Sequence, residues 1–292
     1  MSMTLDTPVV GTTGEAEVAL DLEERGRARR ARAERIGRWA MPLLTIAFGI
    51  FLWDRLVAWY DIKPYILPGP GVVLERLIAD WALLLADLRQ TLGITLLALL
   101  VAVGGGVGLA VLFTQSRIIE MSLSPYAVIL QVTPVIAIAP LIRIYVDSPT
   151  VQLLLCAWIV AFFPILSNTT LGLNSADHNL RDLFRIYGAS RWQRLRYLQL
   201  PSALPYFLGG LRIAGGLSLI GAVVAEFVIG VGGTGNGLAA RILESGYRLN
   251  IPRLYAALIV IALTGVAIYL VTGWISHIAL RKWHESAVKR EA

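Results

Sequence analysis

The residues able to do chemistry are few and poorly grouped for catalysis. His178, His277 and His284 are scattered, and neither an H-E-x-x-H pair nor a Ser-His-Asp order accompanies them. No G-x-x-x-x-G-K-[ST] phosphate loop occurs. Gly230, Gly232 and Gly235 fit G-x-G-x-x-G, a spacing that lets backbone approach a pyrophosphate, but they follow an apolar run rather than a strand and no βαβ unit surrounds them. A glycine-rich turn or re-entrant segment is the better reading. The single cysteine, Cys156, excludes an intramolecular disulfide and reads as a small buried hydrophobe. No catalytic residue, metal site or bound cofactor is expected.

Charge is concentrated elsewhere, in the polar stretch 177–201 between two apolar runs, which carries Arg181, Arg185, Arg191, Arg194 and Arg196. Arginine is costly at a bilayer centre, so this stretch lies outside hydrocarbon. Leu180, Leu183, Phe184 and Tyr187 fall at i, i+3, i+4 and i+7, one apolar face of a helix. Gly188 stands where a helix end needs positive φ. Ser190 and Gln193 fit a capping box that starts a second short helix, which Leu195 and Leu198 continue; Pro201 marks its end or the start of the next element. A helix, a glycine turn and a second helix, apolar on one side and basic on the other, make a docking surface.

The elements that hold this surface are membrane spans. Hydrophobic residues make up 56% of the 292, charged residues only 16%, and mean hydropathy is +0.66. A span needs about 20 apolar residues. Six runs qualify: 39–57, 91–113, 118–145, 150–173, 202–229 and 254–278. The fold class is therefore all-α, with a polar, arginine-rich and disordered segment at 1–38, a membrane domain at 39–280 and a basic tail at 281–292. The net charge of +6 follows from arginines beside the spans and does not point to nucleic acid. Residues 1–35 lack the apolar core of a cleavable signal peptide, so the first span doubles as an insertion signal. The arginines of 25–38 read as an orientation signal ahead of an anionic-lipid site. An alternating six-span arrangement places 17 Lys or Arg on one side and 6 on the other, which puts both termini and the 177–201 stretch in the cytoplasm.

Within the spans, Gly104 and Gly108 form G-x-x-x-G, and Gly210, Ala214, Ser218 and Ala222 repeat every four residues; both patterns predict close helix packing. Pro134 and Pro140 predict a kink near the middle of 118–145. Residues 72–85 predict an amphipathic surface helix. Ionisable residues inside spans are sparse, and Glu226 and Asp54, both near outer ends, are the acidic candidates for a coupling role. Coupled transporters need such groups at mid-membrane, so a stand-alone channel or secondary transporter is the weaker alternative, and a structural or signalling membrane protein weaker still. A passive pathway with a docking surface implies a separate protein that supplies energy.

The same stretch resembles the permease subunit of bacterial ATP-binding-cassette importers, whose cytoplasmic loop carries E-A-A, three residues, G, nine residues, I-x-L-P. Gly188 and Leu198-Gln199-Leu200-Pro201 fit that spacing, with Asp182-Leu183-Phe184 in place of E-A-A. GASRWQRLRYLQLPSALPYFLGGLR is similar to the sulfonate, nitrate and taurine branch, as are ILPGPGVVLERL, TPVIAIAPLIRIY, AFFPILSNTTLGL and Trp283, although a usual Phe-Gly has become Val146-Asp147. The resemblance covers about 50–285. It implies a type I importer permease of six helices with a coupling helix, in the bacterial inner membrane. It implies a homodimer of this chain, an ATPase dimer that binds the ATP, and an extracytoplasmic solute-binding protein. Asp182, Leu183, Phe184, Tyr187, Gly188, Ala189, Ser190, Arg191, Leu200 and Pro201 become the ATPase-coupling residues. The solute would be a sulfonate, taurine, a nitrate- or bicarbonate-like anion, or a pyrimidine precursor of thiamine. Glu226, Ser218 and Pro134 are the residues expected along the pathway; Glu226 is alternatively a partner for Arg212, Arg241 or another helix end.

Overall fold

A computed structural model describes residues 37, 40–229 and 237–281. The expectations for 1–36 and for Arg38, for the glycines of 230–235, and for Trp283 and the tail beyond Arg281 lie outside the described residues. No strand occurs among the described residues. The chain divides into two units, 1–62 and 63–292. In the first, α1 (Ala40–Trp59) is apolar and long enough to cross a membrane. It ends in a turn where Asp61 takes φ 44°.

The second unit opens with α2 (Pro70–Ala79), started by a proline at its first position, where no amide partner is lost. The surface helix expected at 72–85 stops at Asp80, and α3 (Trp81–Gln115) begins at once. Asp80 has left helical geometry (φ −97°, ψ 12°). Arg253 holds its carboxylate from the far end of the sequence (Nε to Oδ2 2.6 Å, Nη2 to Oδ1 3.1 Å), a pairing invisible to local periodicity. The next run is two helices, α4 (Arg117–Val132) and α5 (Val135–Tyr145), bent by 103° at Thr133-Pro134. The expected kink is thus a break: a proline at 134 supplies no amide to the preceding turn, and its residue before is pushed to extended geometry (Thr133 ψ 122°). Among the described residues, five helices are long and apolar enough to span, six if the bent pair counts as one.

The core lies between α3, α6 (Pro149–Asn174) and α9 (Leu200–Ile229). Residues of α6 and α9 meet so closely that a Cβ on Gly172 would lie 2.8 Å from Ala203 Cα, and one on Gly221 2.8 Å from Ala157 Cα. The stripe Gly210, Ala214, Ser218, Ala222 faces this seam and is buried throughout. In α3 the packed stripe is a different one from the G-x-x-x-G. A Cβ on Gly104 or Gly108 meets open space, whereas Gly106 sits against Ile165 and shares a buried face with Ala98, Ala102 and Ala110. Small residues cover both faces of α3, so composition could not tell which one packs. Helix α6 runs parallel to α3 and antiparallel to α9, as the cluster of Ile94, Ala98, Leu153, Ala157, Ala222 and Ala225 and that of Ala110, Phe113, Leu173 and Ala203 require. The bundle has two polar ends. One carries α7 (His178–Ile186) and α8 (Arg191–Arg194), the hairpin end; the other carries α10 (Leu238–Tyr247) and the start of α11 (Ile251–Leu280).

Candidate functional site

The hairpin is built by caps. Asp177 accepts from the amides of Asn179 (2.7 Å) and Leu180 (3.4 Å) and so starts α7. Gly188 ends it at φ +64°, a conformation L side chains avoid, and the amide of Ala189 returns to the Phe184 carbonyl at 2.9 Å. Ser190 and Gln193 close a reciprocal capping box: the Gln193 amide donates to Ser190 Oγ (3.2 Å) and the Ser190 amide to Gln193 Oε1 (2.8 Å). The second helix does not stop at Pro201. One π-helical turn, Leu195–Gln199, carries α8 into α9, so a single helix runs from Arg191 to Ile229. Leu200 and Pro201 stand in the first turn of α9, where proline's missing amide is tolerated because the π turn has already loosened the hydrogen-bond ladder.

The two faces of α7 separate the expected coupling residues. Leu183, Phe184, Tyr187 and Ala189 line a groove together with Gln193, expected only as a cap, and Tyr197, which the sequence did not single out. Tyr187 is 80% and Tyr197 65% exposed. Asp182 and Arg191 are on the other side, in a basic cavity. Periodicity marked Tyr187 but not Tyr197, because Tyr197 reaches the groove only through the turn at Gly188.

At the opposite end the expected pathway residue Glu226 is almost completely buried (1% exposed). The Thr91 hydroxyl donates to its Oε1 (2.8 Å) and the Ala239 amide to its Oε2 (2.9 Å). Of the partners considered for it, another helix end is the one present: Glu226 caps the start of α10, where an anion is favoured. Arg241 instead grips Asp87 with two nitrogens (2.7 and 3.2 Å) and also Glu244. Chiefly because its guanidinium donates to Asp87, the Arg241 pKa is raised above its ordinary value. Arg212 stacks on the Tyr269 ring at 3.8 Å. A Cβ at Gly237 would fall 2.0 Å from Glu226 Oε1, so glycine is needed there for the carboxylate to reach α10. The α10 helix itself was not expected within the glycine-rich 230–251 stretch.

Ser218 is fully buried, its hydroxyl donating to the Gly215 carbonyl at 2.9 Å. Pro134 stands at the α4–α5 break, beside a cavity of about 210 Å³ lined by Gln131, Thr133, Phe163, Pro164 and Leu217 among others. Gln131 and Thr133 carry the polar groups of that cavity and were missed, since single polar residues in an apolar run give no periodic signal. Among the described residues, no group of three metal-ligating side chains converges.

Residues 102–283 match the family described as the binding-protein-dependent transport system inner membrane component. The chain is 33% identical over 266 residues to the riboflavin transport system permease protein RibX of Chloroflexus aurantiacus, covering 87% of this chain and 96% of that one. It is 30% identical over 229 residues to the formylaminopyrimidine transport permease protein ThiX of Halalkalibacterium halodurans (77% and 88%). It is 27% identical over 230 residues to the putative aliphatic sulfonates transport permease protein SsuC of Bacillus subtilis (78% and 82%). A crystal structure of an amino acid ABC transporter with histidines shares the fold, with a TM-score of 0.57 at 18% identity over 68% of this chain and 95% of that one. The chain belongs to the binding-protein-dependent inner membrane component family: it is a multi-pass inner-membrane permease of an ABC importer for a small solute.

Proposed function

We propose that this permease is driven by a separate ATPase pair that docks on the α7–α8 hairpin, and that two copies of the chain form the pathway. The observation that carries this is the uncovered apolar face of the hairpin: Leu183, Phe184, Tyr187, Ala189 and Tyr197 line a groove that no described element of this chain fills. An amphipathic helix of that kind suits a helix-in-groove contact. The hairpin is then well placed to transmit motion. Gly188 sets the angle between α7 and α8, and the unbroken helix from Arg191 to Ile229 carries a displacement across the membrane to Glu226 and α10. Closure of the ATPase pair on ATP draws the two hairpins together and turns the pathway from inward- to outward-facing. In this reading the hairpin end and both termini are cytoplasmic, and an extracytoplasmic binding protein delivers solute at the α10 end.

The solute passes near the α4–α5 break, where backbone is irregular and Gln131 and Thr133 offer polar groups. Its chemistry belongs to the range that the branch implies, a sulfonate, taurine, a nitrate- or bicarbonate-like anion, or a pyrimidine precursor of thiamine, which the name of one relative widens to riboflavin. Reconstitution with the ATPase and binding protein tests the coupling. Gly188→Asp should lower both uptake and ATP hydrolysis by about tenfold or more, with insertion and helicity unchanged. Normal coupled transport by that variant rejects the hairpin assignment. Uptake by the chain alone in liposomes, without ATPase, would establish the stand-alone transporter instead.

A further inference from the structure

We propose that the basic cavity between the hairpin and the ends of α3 and α6 is a site for a phosphate-type oxyanion, carried by a phospholipid headgroup or by a free phosphate compound. The cavity, of about 480 Å³, is lined by Arg181, Arg185, Arg191 and Arg194 from the hairpin, and by Thr114, Gln115 and Asn174 from the helix ends. It lies on the face of α7 opposite the apolar groove, so it is distinct from the proposed docking surface. Four guanidinium groups meet one carboxylate, Asp182. That carboxylate stands 3.7 Å from Arg185 in a pair whose side chains are 73% and 62% exposed, so it neutralises little.

The deeper arginines are held in place and left incomplete. Arg181 Nη2 donates to the Asn174 carbonyl at 2.5 Å, which ties the guanidinium to the end of α6. Among the described residues its Nε is buried without an acceptor, and so is the Nε of Arg194. Leaving such a donor unmet is unfavourable, more so on a charged group. The missing partner is therefore an anion with several oxygens. A carboxylate has two oxygens in one plane and satisfies one guanidinium fork; a phosphomonoester presents three free oxygens, and a phosphodiester two free and two ester oxygens set tetrahedrally, so either can be shared between forks from two helices. Thr114, Gln115 and Asn174 mark where α3 and α6 leave the apolar region, the depth at which lipid phosphates lie. Trp192, exposed on the same hairpin, is a residue type that favours that interface.

The full chain in a neutral, phosphate-free detergent tests this by calorimetric titration with two probes, dihexanoyl phosphatidylglycerol and inorganic pyrophosphate. At least one probe should bind. That binding should weaken about tenfold or more in Arg181→Gln/Arg194→Gln and stay within about twofold in Arg196→Gln, an arginine of the same segment outside the cavity. Binding of the lipid alone identifies a headgroup site; binding of pyrophosphate as well identifies a site open to free phosphate compounds. No binding of either probe overturns the proposal, and so does an equal loss in Arg196→Gln, which would show general surface charge. Should the glutamine pair lose helicity by circular dichroism, Arg181→Lys/Arg194→Lys keeps the charge and removes the forks. Several-fold weaker binding in that variant is expected, and unchanged binding again overturns the site.

Discussion

The two ends of this bundle use the same side chains in opposite ways. At the α10 end, Arg241 and Arg253 each hold a carboxylate with two nitrogens, Asp87 and Asp80, and Glu226 is closed on Thr91 and the α10 backbone. At the hairpin end, Arg181 and Arg194 keep buried nitrogens without an acceptor among the described residues, and Leu183 and Tyr187 stay open to the outside. The difference teaches where the molecule is finished and where it waits for something else. Charges that a fold uses for its own integrity are paired within it, because an unpaired buried charge costs several kcal/mol. Charges and apolar faces that it leaves unmatched are those a partner or ligand can complete. By this criterion the α10 end is a structural clamp, which joins α3, α9, α10 and α11, and the hairpin end is the surface we propose to be interactive.

The contrast breaks most easily at Arg241. Arg241→Ala leaves Asp87 buried and unpaired and should cost about 3–5 kcal/mol in reversible detergent unfolding of the purified chain. A cost below about 1 kcal/mol would mean that the clamp holds nothing. Next is Gly237→Ala, whose methyl group would collide with the Glu226 carboxylate; about 1–3 kcal/mol is expected by the same measurement, since an overfilled site must shift its neighbours. At the hairpin, Ser190→Ala removes one half of the capping box, for about 1 kcal/mol felt locally. Hydrogen exchange should therefore show faster exchange of the Gln193 amide and little change in α6. The smallest effect is reserved for Arg194→Gln: with no acceptor for its Nε among the described residues to lose, unfolding should move by less than about 0.5 kcal/mol. A loss there as large as that of Arg241→Ala would erase the distinction between the two ends.

Much of the hairpin was legible because its signals are local. Leu180, Leu183, Phe184 and Tyr187 lie within two turns, and Gly188, Ser190 and Gln193 act on their immediate neighbours, so each cap formed as the spacing predicts. The broken third run was legible too, though as a kink rather than a 103° bend, since proline fixes where a ladder fails but not how far the halves swing apart. What failed depended on distant residues. Tyr197 joins the groove only when the chain reverses. The helix α10 stands where glycines suggested a loop, because Thr91 and Glu226, which meet its first amides, lie 147 and 13 positions before Leu238 and Ala239.

The sequence by itself determined that this chain crosses a membrane several times, that 177–201 stays outside hydrocarbon as two capped helices, and which family it resembles. These follow from composition, from helical period and from short-range caps, each readable within a few turns. Only the tertiary structure decided which face of α3 packs, that Glu226 is a cap rather than a partner of Arg241, and that the hairpin's arginines turn into a cavity while its aromatic residues turn out. Those outcomes are set by contacts between segments up to 173 residues apart, such as Arg253 with Asp80. A one-dimensional pattern gives the chemistry of each face; only the packed bundle says what each face meets.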